Sequence, residues 1–148
     1  MKLAAIYCVW DDWDMLELSV KNITPLVDVV IVVCSSVSNY GEISNLPLNP
    51  IDGPVYYVWE PNAGISAMQN ETNKRNFGLG IAKKKECTHF LMMDADEFYE
   101  QEPFLKEKER VLKFDIKGLV CASQVYFKSP KLTIGLDITL VTFITKLY

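Results

Sequence analysis

Two aspartates at the end of a hydrophobic stretch are the residues best suited to chemistry. The stretch FLMMDADEFYE, residues 90–100, runs from apolar residues directly into Asp94, Ala95, Asp96 and Glu97. If a strand continues through this segment, Asp94 and Asp96 point the same way, because side chains alternate along a strand. Adjacent carboxylates repel each other, and a bound Mn²⁺ or Mg²⁺ removes that repulsion while keeping sites for water or phosphate. The pattern therefore predicts metal ligands at Asp94 and Asp96. A cation held there can bridge a diphosphate and neutralise the charge that develops on a leaving group.

The same acids also suit two plain structural roles. They could solvate the end of the strand, or Asp96 could cap the N-terminus of a following helix. Their position favours the metal interpretation, because ligands of α/β proteins bind beyond the carboxyl ends of the strands, where the strand order switches.

Hydrophobic patterning predicts the elements that position these acids. Continuous apolar runs predict buried strands at residues 3–10, 27–34 and 88–94, with a shorter strand at 55–60. Helical spacing predicts helices at residues 11–23, about 68–86 and 102–114, and two more strand candidates occupy residues 118–127 and 136–148. Gly78 and Gly80 weaken the second helix, which is tolerable where a helix must lie close against a sheet. The alternation predicts a single-domain α/β fold with a mostly parallel sheet flanked by helices.

Composition and missing motifs exclude several classes of protein. The chain has 148 residues, enough for one sizeable core, and its net charge of −4 argues against a nucleic acid as the main partner. None of the four cysteines has C-x-x-C spacing, so a zinc site is disfavoured. Most of them lie in apolar runs, so we expect reduced core thiols and a cytoplasmic protein. No apolar stretch reaches the ~18 residues of a membrane span. The absence of G-x-G-x-x-G, P-loop and G-x-S-x-G patterns disfavours dinucleotide enzymes, P-loop proteins and α/β-hydrolases.

The stretch from PNAG through NKRNFGLGIAKKKECTHFLMMDADEFYE resembles nucleotide-sugar glycosyltransferases of the GT-A fold, especially the family 2-like group. An Asn-x-Gly turn at residues 62–64 is followed by Arg-Asn-x-Gly at residues 75–78 and by Ala82. The Asp-x-Asp pair then closes the strand at residues 94–96. The resemblance covers roughly residues 2–127, and its specific part is residues 62–98.

The resemblance implies roles for individual residues. It implies that Asp96 ligates the metal directly and that Asp94 touches ribose or a metal-bound water. It further implies a nucleotide-sugar site that comprises Tyr7, Cys8, Trp10, Asp11, Ser35, Arg75, Asp94 and Ala95. Trp10 would stack on the base and Asp11 would hydrogen-bond nearby, although Trp10 and Trp13 would equally suit the core. Arg75 would approach the nucleotide, unless it is a plain surface arginine.

The chain departs from the family pattern at two places. The family commonly has an aspartate that reads the base at the end of the second strand, where this chain has Cys34, Ser35 and Ser36. Recognition of the base would therefore either be altered or be supplied by the hydroxyl of Ser35 or Ser36. The acceptor-binding part, about residues 101–148, is expected to be short or missing beside a nucleotide-binding core of about residues 1–100. Asp137 is the candidate catalytic base.

The resemblance implies a metal-dependent glycosyltransferase that moves a sugar from a UDP- or GDP-sugar donor to an unknown acceptor, with Mn²⁺ or Mg²⁺ as cofactor. One alternative is a non-catalytic or truncated module of the same fold that binds a nucleotide or a glycan. A nucleotidyltransferase of related architecture is disfavoured, because it needs a Gly-rich loop with basic residues where this chain has CVWDDWDM.

Overall fold

The computed structural model describes residues 1–44, 50–122 and 140–147. The strands are β1 (Leu3–Val9), β2 (Val29–Cys34), β3 (Val55–Val58), β4 (His89–Met93), β5 (Gly118–Ala122) and β6 (Leu140–Lys146). The helices are α1 (Trp13–Ile23), α2 (Ala67–Lys84) and α3 (Gln101–Phe114), with a short 3₁₀ turn at Thr24–Leu26 after α1. Among these residues, no helix combines the length and the apolar character that crossing a bilayer requires.

The six strands form one mixed sheet in the order β3-β2-β1-β4-β6-β5. The first four strands of that order are parallel, and β6 runs antiparallel to both β4 and β5. This arrangement confirms the predicted α/β fold with a mostly parallel sheet. From β1 the chain moves outward through β2 to β3 and then returns to the other side of β1 as β4. The strand order therefore reverses between β1 and β4, which is where open α/β sheets bind ligands.

Helices cover both faces of β1, which explains why its sequence is apolar throughout. On one face, Leu3, Ala5 and Tyr7 belong to a core cluster that includes residues of α1 and α3. On the other face, Ala4 and Ile6 belong to a cluster that includes residues of α2. The alternating side chains of one strand thus contribute to two separate cores.

Local sequence signals set the ends of the helices. The hydroxyl of Ser66 accepts a hydrogen bond from Gln69 N at 3.3 Å and caps the start of α2. Pro25 is the second residue after α1, in the 3₁₀ turn. Proline lacks the N–H that would continue an α-helix, so α1 ends where the sequence predicts.

Helix α2 lies so close to the sheet that Gly78 has no room for a side chain. A Cβ at Gly78 would lie 2.6 Å from Ile6 Cγ2 and 3.3 Å from Val33 Cγ2. Gly80 has nothing within 4 Å of the same position. Close packing against the sheet therefore accounts for Gly78 and not for Gly80.

Candidate functional site

The acidic segment after β4 forms a turn and does not continue the strand. Strand β4 ends at Met93. Glu97 N donates to Asp94 O at 3.2 Å, and Asp94 N donates to Glu97 Oε2 at 3.3 Å. Ala95 is buried between the exposed Asp94 and Asp96. The directions of the Asp94 and Asp96 side chains therefore follow from the conformation of the turn and not from the alternation of side chains along a strand.

Helix α1 anchors this turn from the core side. Ser19 Oγ donates to Glu97 O at 2.6 Å and also bonds the hydroxyl of Tyr7 at 2.7 Å. Two residues beyond Glu97, Tyr99 N donates to Asn22 Oδ1 at 2.8 Å, and Asn22 Nδ2 donates to Tyr99 O at 3.0 Å. The turn is therefore held to the sheet and to α1 by its backbone, which leaves Asp94 and Asp96 exposed.

Acids from two elements meet at the edge where the strand order reverses. Burial raises the pKa of Asp12, and repulsion by Asp11 and Asp96 raises it further. Burial likewise raises the pKa of Glu97, with further repulsion by Asp94 and Asp96 and an opposing backbone hydrogen bond from Asp94. The acidic cluster, as we name it, comprises Asp11, Asp12, Asp14, Asp94, Asp96 and Glu97.

The donor set of the acidic cluster fits a hard divalent cation. Carboxylate oxygens are the ligands that Mg²⁺ prefers, and Mg²⁺ commonly uses one or two carboxylates together with water and phosphate. Within the described residues, no group of three or more His, Cys, Asp or Glu is arranged to hold a metal ion. Asp94 and Asp96 would therefore supply at most two ligands, and the remainder would come from water or a bound diphosphate.

Arg75 of α2 reaches the acidic cluster. Its Nη2 lies 3.3 Å from Asp94 Oδ1, and its Nε lies 3.0 Å from Glu71 Oε1. Ion pairs as exposed as these contribute little to stability. The guanidinium beside Asp94 is thus positioned at the site without being required for folding.

The two tryptophans after β1 differ in their surroundings. Trp13 is 4% exposed, and its ring centroid lies 6.4 Å from that of Tyr56, so it belongs to the core. Trp10 is half-buried, at the end of β1 beside Asp11. The Nε1 atoms of both indoles are buried and have no hydrogen-bond partner among the residues that the structure describes.

Three other predicted site residues lie below the surface of this edge. The Tyr7 side chain is fully buried, and its hydroxyl is bonded to Ser19. Ser35 is 1% exposed. Cys8 is half-buried, and burial raises the pKa of its thiol to about 11. The structure therefore brings Trp10, Asp11, Arg75 and Asp94 to the accessible edge and leaves Tyr7, Ser35 and Ala95 in the interior.

A carboxylate and an ammonium that the sequence analysis missed lie at the end of β2. Glu60 Oε1 accepts from Ser36 N at 3.2 Å and from Ser36 Oγ at 3.1 Å. Lys74 Nζ donates to Ser35 Oγ and to Val9 O, each at 2.7 Å. The acid that closes the predicted strand at residues 55–60 could have indicated Glu60. The i, i+4 spacing of Lys74 and Gly78 could have placed Lys74 on the buried face of α2.

The Asn-x-Gly turn exists and borders a cavity. Asn62 Oδ1 accepts from Gly64 N at 2.8 Å, and the buried Asn70 Nδ2 donates to Asn62 O at 3.1 Å and to Asn39 O at 3.4 Å. These loops line a cavity of about 160 Å³ with the exposed Tyr40 at its rim. Neither this cavity nor a second one beside α1 is lined by residues of the turn after β4. The predicted base, Asp137, lies outside the described residues.

Comparisons with known proteins show a shared fold. No protein-family model matches the chain, and no curated protein matches it by sequence. A crystal structure of S. aureus TarS 1-349 superposes with a TM-score of 0.55 at 13% identity, over 99% of this chain and 47% of that one. A second S. aureus TarS crystal structure gives a TM-score of 0.50 at 14% identity, over 99% of this chain and 28% of that one. The chain thus spans about half, or less, of the structures whose α/β fold it shares.

Proposed function

We propose that this chain binds a nucleotide-sugar donor, a UDP- or GDP-sugar, and transfers the sugar to an acceptor with the help of Mn²⁺ or Mg²⁺. The observation that carries the proposal is the meeting of Asp94, Asp96 and Arg75 beside the ends of β1 and β4, where the strand order reverses. The fold shared with TarS, a glycosyltransferase, supports the same reaction class.

Four residues at the accessible edge have roles in this proposal. Asp94 and Asp96 hold the divalent cation, which when bound would offset the charge that develops on the departing nucleoside diphosphate. Arg75 donates N–H groups to phosphate oxygens, for which a guanidinium is well shaped. The exposed part of the half-buried Trp10 ring lies against the base or ribose of the donor. The acceptor hydroxyl forms the new bond to the anomeric carbon as the bond to the diphosphate breaks. The proton of that hydroxyl passes to a base, for which Asp137 is the candidate, and the nucleoside diphosphate leaves as the anion.

Calorimetric titration of UDP and of GDP, each with and without Mn²⁺, tests the proposal. We expect one nucleotide to bind and the binding to depend on the metal. Asp96→Ala should weaken that binding by at least about tenfold, because the ion between protein and diphosphate loses a ligand. Asp52→Ala removes an exposed acid elsewhere on the chain and serves as the control, with unchanged affinity. A folded protein that gives no heat with either nucleotide would contradict the proposal.

Turnover distinguishes the enzyme from a binding module of the same fold. The cavity beside the Asn-x-Gly turn lies away from the turn after β4, and this observation supports the binding module as the second candidate. Hydrolysis of the matching nucleotide sugar that disappears in Asp96→Ala supports a transferase. Metal-dependent binding without turnover supports the module.

A further inference from the structure

Lys74 is a buried cation with no acidic partner. It is 4% exposed, and its Nζ donates to two uncharged acceptors, Val9 O and Ser35 Oγ, both at 2.7 Å. None of the ion pairs in the described part of the chain includes Lys74. A charge in such surroundings lowers the stability of a fold unless something else compensates.

The ionisable groups around Lys74 compensate only in part for the burial of its charge. Burial lowers the pKa of the Lys74 ammonium, and Cys8, Cys34 and Glu60 act in the opposite direction. Burial raises the pKa values of both thiols, so the half-buried Cys8 and the buried Cys34 carry no charge at neutral pH. Glu60 is bonded to Ser36 and is not an ion-pair partner of Lys74. Unfavourable groups of this kind are concentrated at functional sites.

The position of Lys74 connects it to the candidate site. Val9 is the last residue of β1 and precedes Trp10 and Asp11. Ser35 is the first residue after β2. The ammonium therefore joins the ends of two neighbouring strands at the edge that carries the acidic cluster. The next residue of α2, Arg75, contacts Asp94 on the other side of β1.

Charge at this edge matters because the acidic cluster repels an anionic ligand. A cation in the protein interior is screened less than one in water and acts over a longer distance. Lys74 supplies such a charge next to the end of β1.

We propose that Lys74 is a positioning residue for an anionic ligand of the nucleoside diphosphate class: it fixes the ends of β1 and β2 and keeps a positive charge at the end of β1, on the sheet edge that also carries the acidic cluster. This inference rests on the proposed function for the identity of the ligand. It predicts that the charge of Lys74 serves binding at the expense of stability.

If Lys74 had a purely structural role, Lys74→Met would lower the stability of the folded chain. Our proposal predicts no such loss. Val9 O also accepts from Ser35 N at 3.2 Å, so this carbonyl stays bonded when Lys74 is replaced. The Ser35 hydroxyl loses Lys74 as a donor, which costs less than keeping an unpaired charge buried. Methionine matches the length of most of the lysine side chain and has no charge to bury. Replacing buried ionic groups by well-packed apolar side chains of similar volume is often neutral or stabilising, and Lys74 has no ion-pair partner that the replacement would leave uncompensated.

The test compares Lys74→Met with Lys84→Met, which removes an exposed lysine from the same helix. Calorimetry with UDP and with GDP, each with Mn²⁺, measures affinity, and thermal unfolding without ligand measures stability. For Lys74→Met we expect a Kd raised by about tenfold or more and a melting temperature equal to or above that of the wild type. For Lys84→Met we expect both quantities to stay at the wild-type values.

Three results would overturn the role of Lys74. They are an affinity of Lys74→Met within about twofold of the wild type, a lowered melting temperature, and a variant that does not fold. Each of the three leaves the proposed function standing if the wild type binds a nucleotide. A wild-type protein that binds neither nucleotide overturns the proposed function and this inference together.

Discussion

Ser19 is the side chain that joins the core to the segment carrying the acids. It is fully buried, donates to Glu97 O at 2.6 Å and bonds the Tyr7 hydroxyl at 2.7 Å. Helix α1, strand β1 and the turn after β4 therefore share one small polar network. Tyr7 contributes to the site through this network and lies below its surface.

Ser19→Ala should lower the free energy of unfolding by about 1–3 kcal/mol, because Glu97 O and the Tyr7 hydroxyl both lose a buried partner. Urea denaturation followed by fluorescence measures the change. Tyr7→Phe is the matched variant: Ser19 still donates to Glu97 O, so a smaller loss is expected. A loss in Tyr7→Phe that equals or exceeds that in Ser19→Ala would contradict this account of the network.

Helix α2 carries on one face the residues that connect the sheet to the site. Asn70, Lys74, Gly78 and Ile81 are all buried at helical spacing. Asn70 bonds the loops after β2 and β3, Lys74 bonds the ends of β1 and β2, and Gly78 lies against Ile6. The two polar residues of this face depend on the close approach that Gly78 permits.

The two glycines of α2 should respond in opposite directions to alanine. Gly78→Ala places a Cβ 2.6 Å from Ile6 Cγ2 and should lower the free energy of unfolding by about 1–3 kcal/mol. Gly80→Ala meets nothing within 4 Å and should raise it by up to ~1 kcal/mol, the helix-propensity difference. Chemical denaturation of both variants measures the contrast. Equal stabilisation by the two substitutions would mean that α2 does not pack tightly on β1 and β2.

Three thiols in the described part of the chain are buried or half-buried, which links the stability of the molecule to alkaline pH. Burial is the main cause of the raised pKa values of Cys8, Cys34 and Cys87. The unfolded chain therefore releases these protons at a lower pH than the folded chain does. The stability that they contribute is complete below the ordinary thiol pKa of 9.0 and is lost as pH rises towards about 11 for Cys8. The pH dependence from Lys74 has the opposite sign. Burial lowers the pKa of its ammonium, so its titration raises the stability of the folded chain as pH rises.

The contribution of Cys8 can be isolated by difference. Between pH 8 and about pH 11, Cys8→Ala should lose less unfolding free energy than the wild type, because it lacks one thiol whose pKa rises on folding. Denaturant unfolding in the presence of a reducing agent, at several pH values, measures both slopes. Identical slopes would show that Cys8 titrates alike in the folded and unfolded chains.

Much of the fold could be predicted from local patterns. The apolar runs and the helical spacing predicted the parallel strands and all three helices to within a few residues, because period and burial are encoded over short stretches. The Asp-x-Asp pair at the end of a buried strand correctly predicted acids at the carboxyl edge of the sheet.

The tertiary structure alone decided which side chains reach that edge. Val9 and Lys74 are separated by 65 positions, and Ser19 and Glu97 by 78, yet each pair is joined by a hydrogen bond. The turn after β4 and the burial of Ser35 likewise depend on partners from distant parts of the chain. A local pattern specifies the direction of a side chain within one element. Strand order and packing between elements determine whether that direction leads to solvent, to a core or to a neighbouring charge.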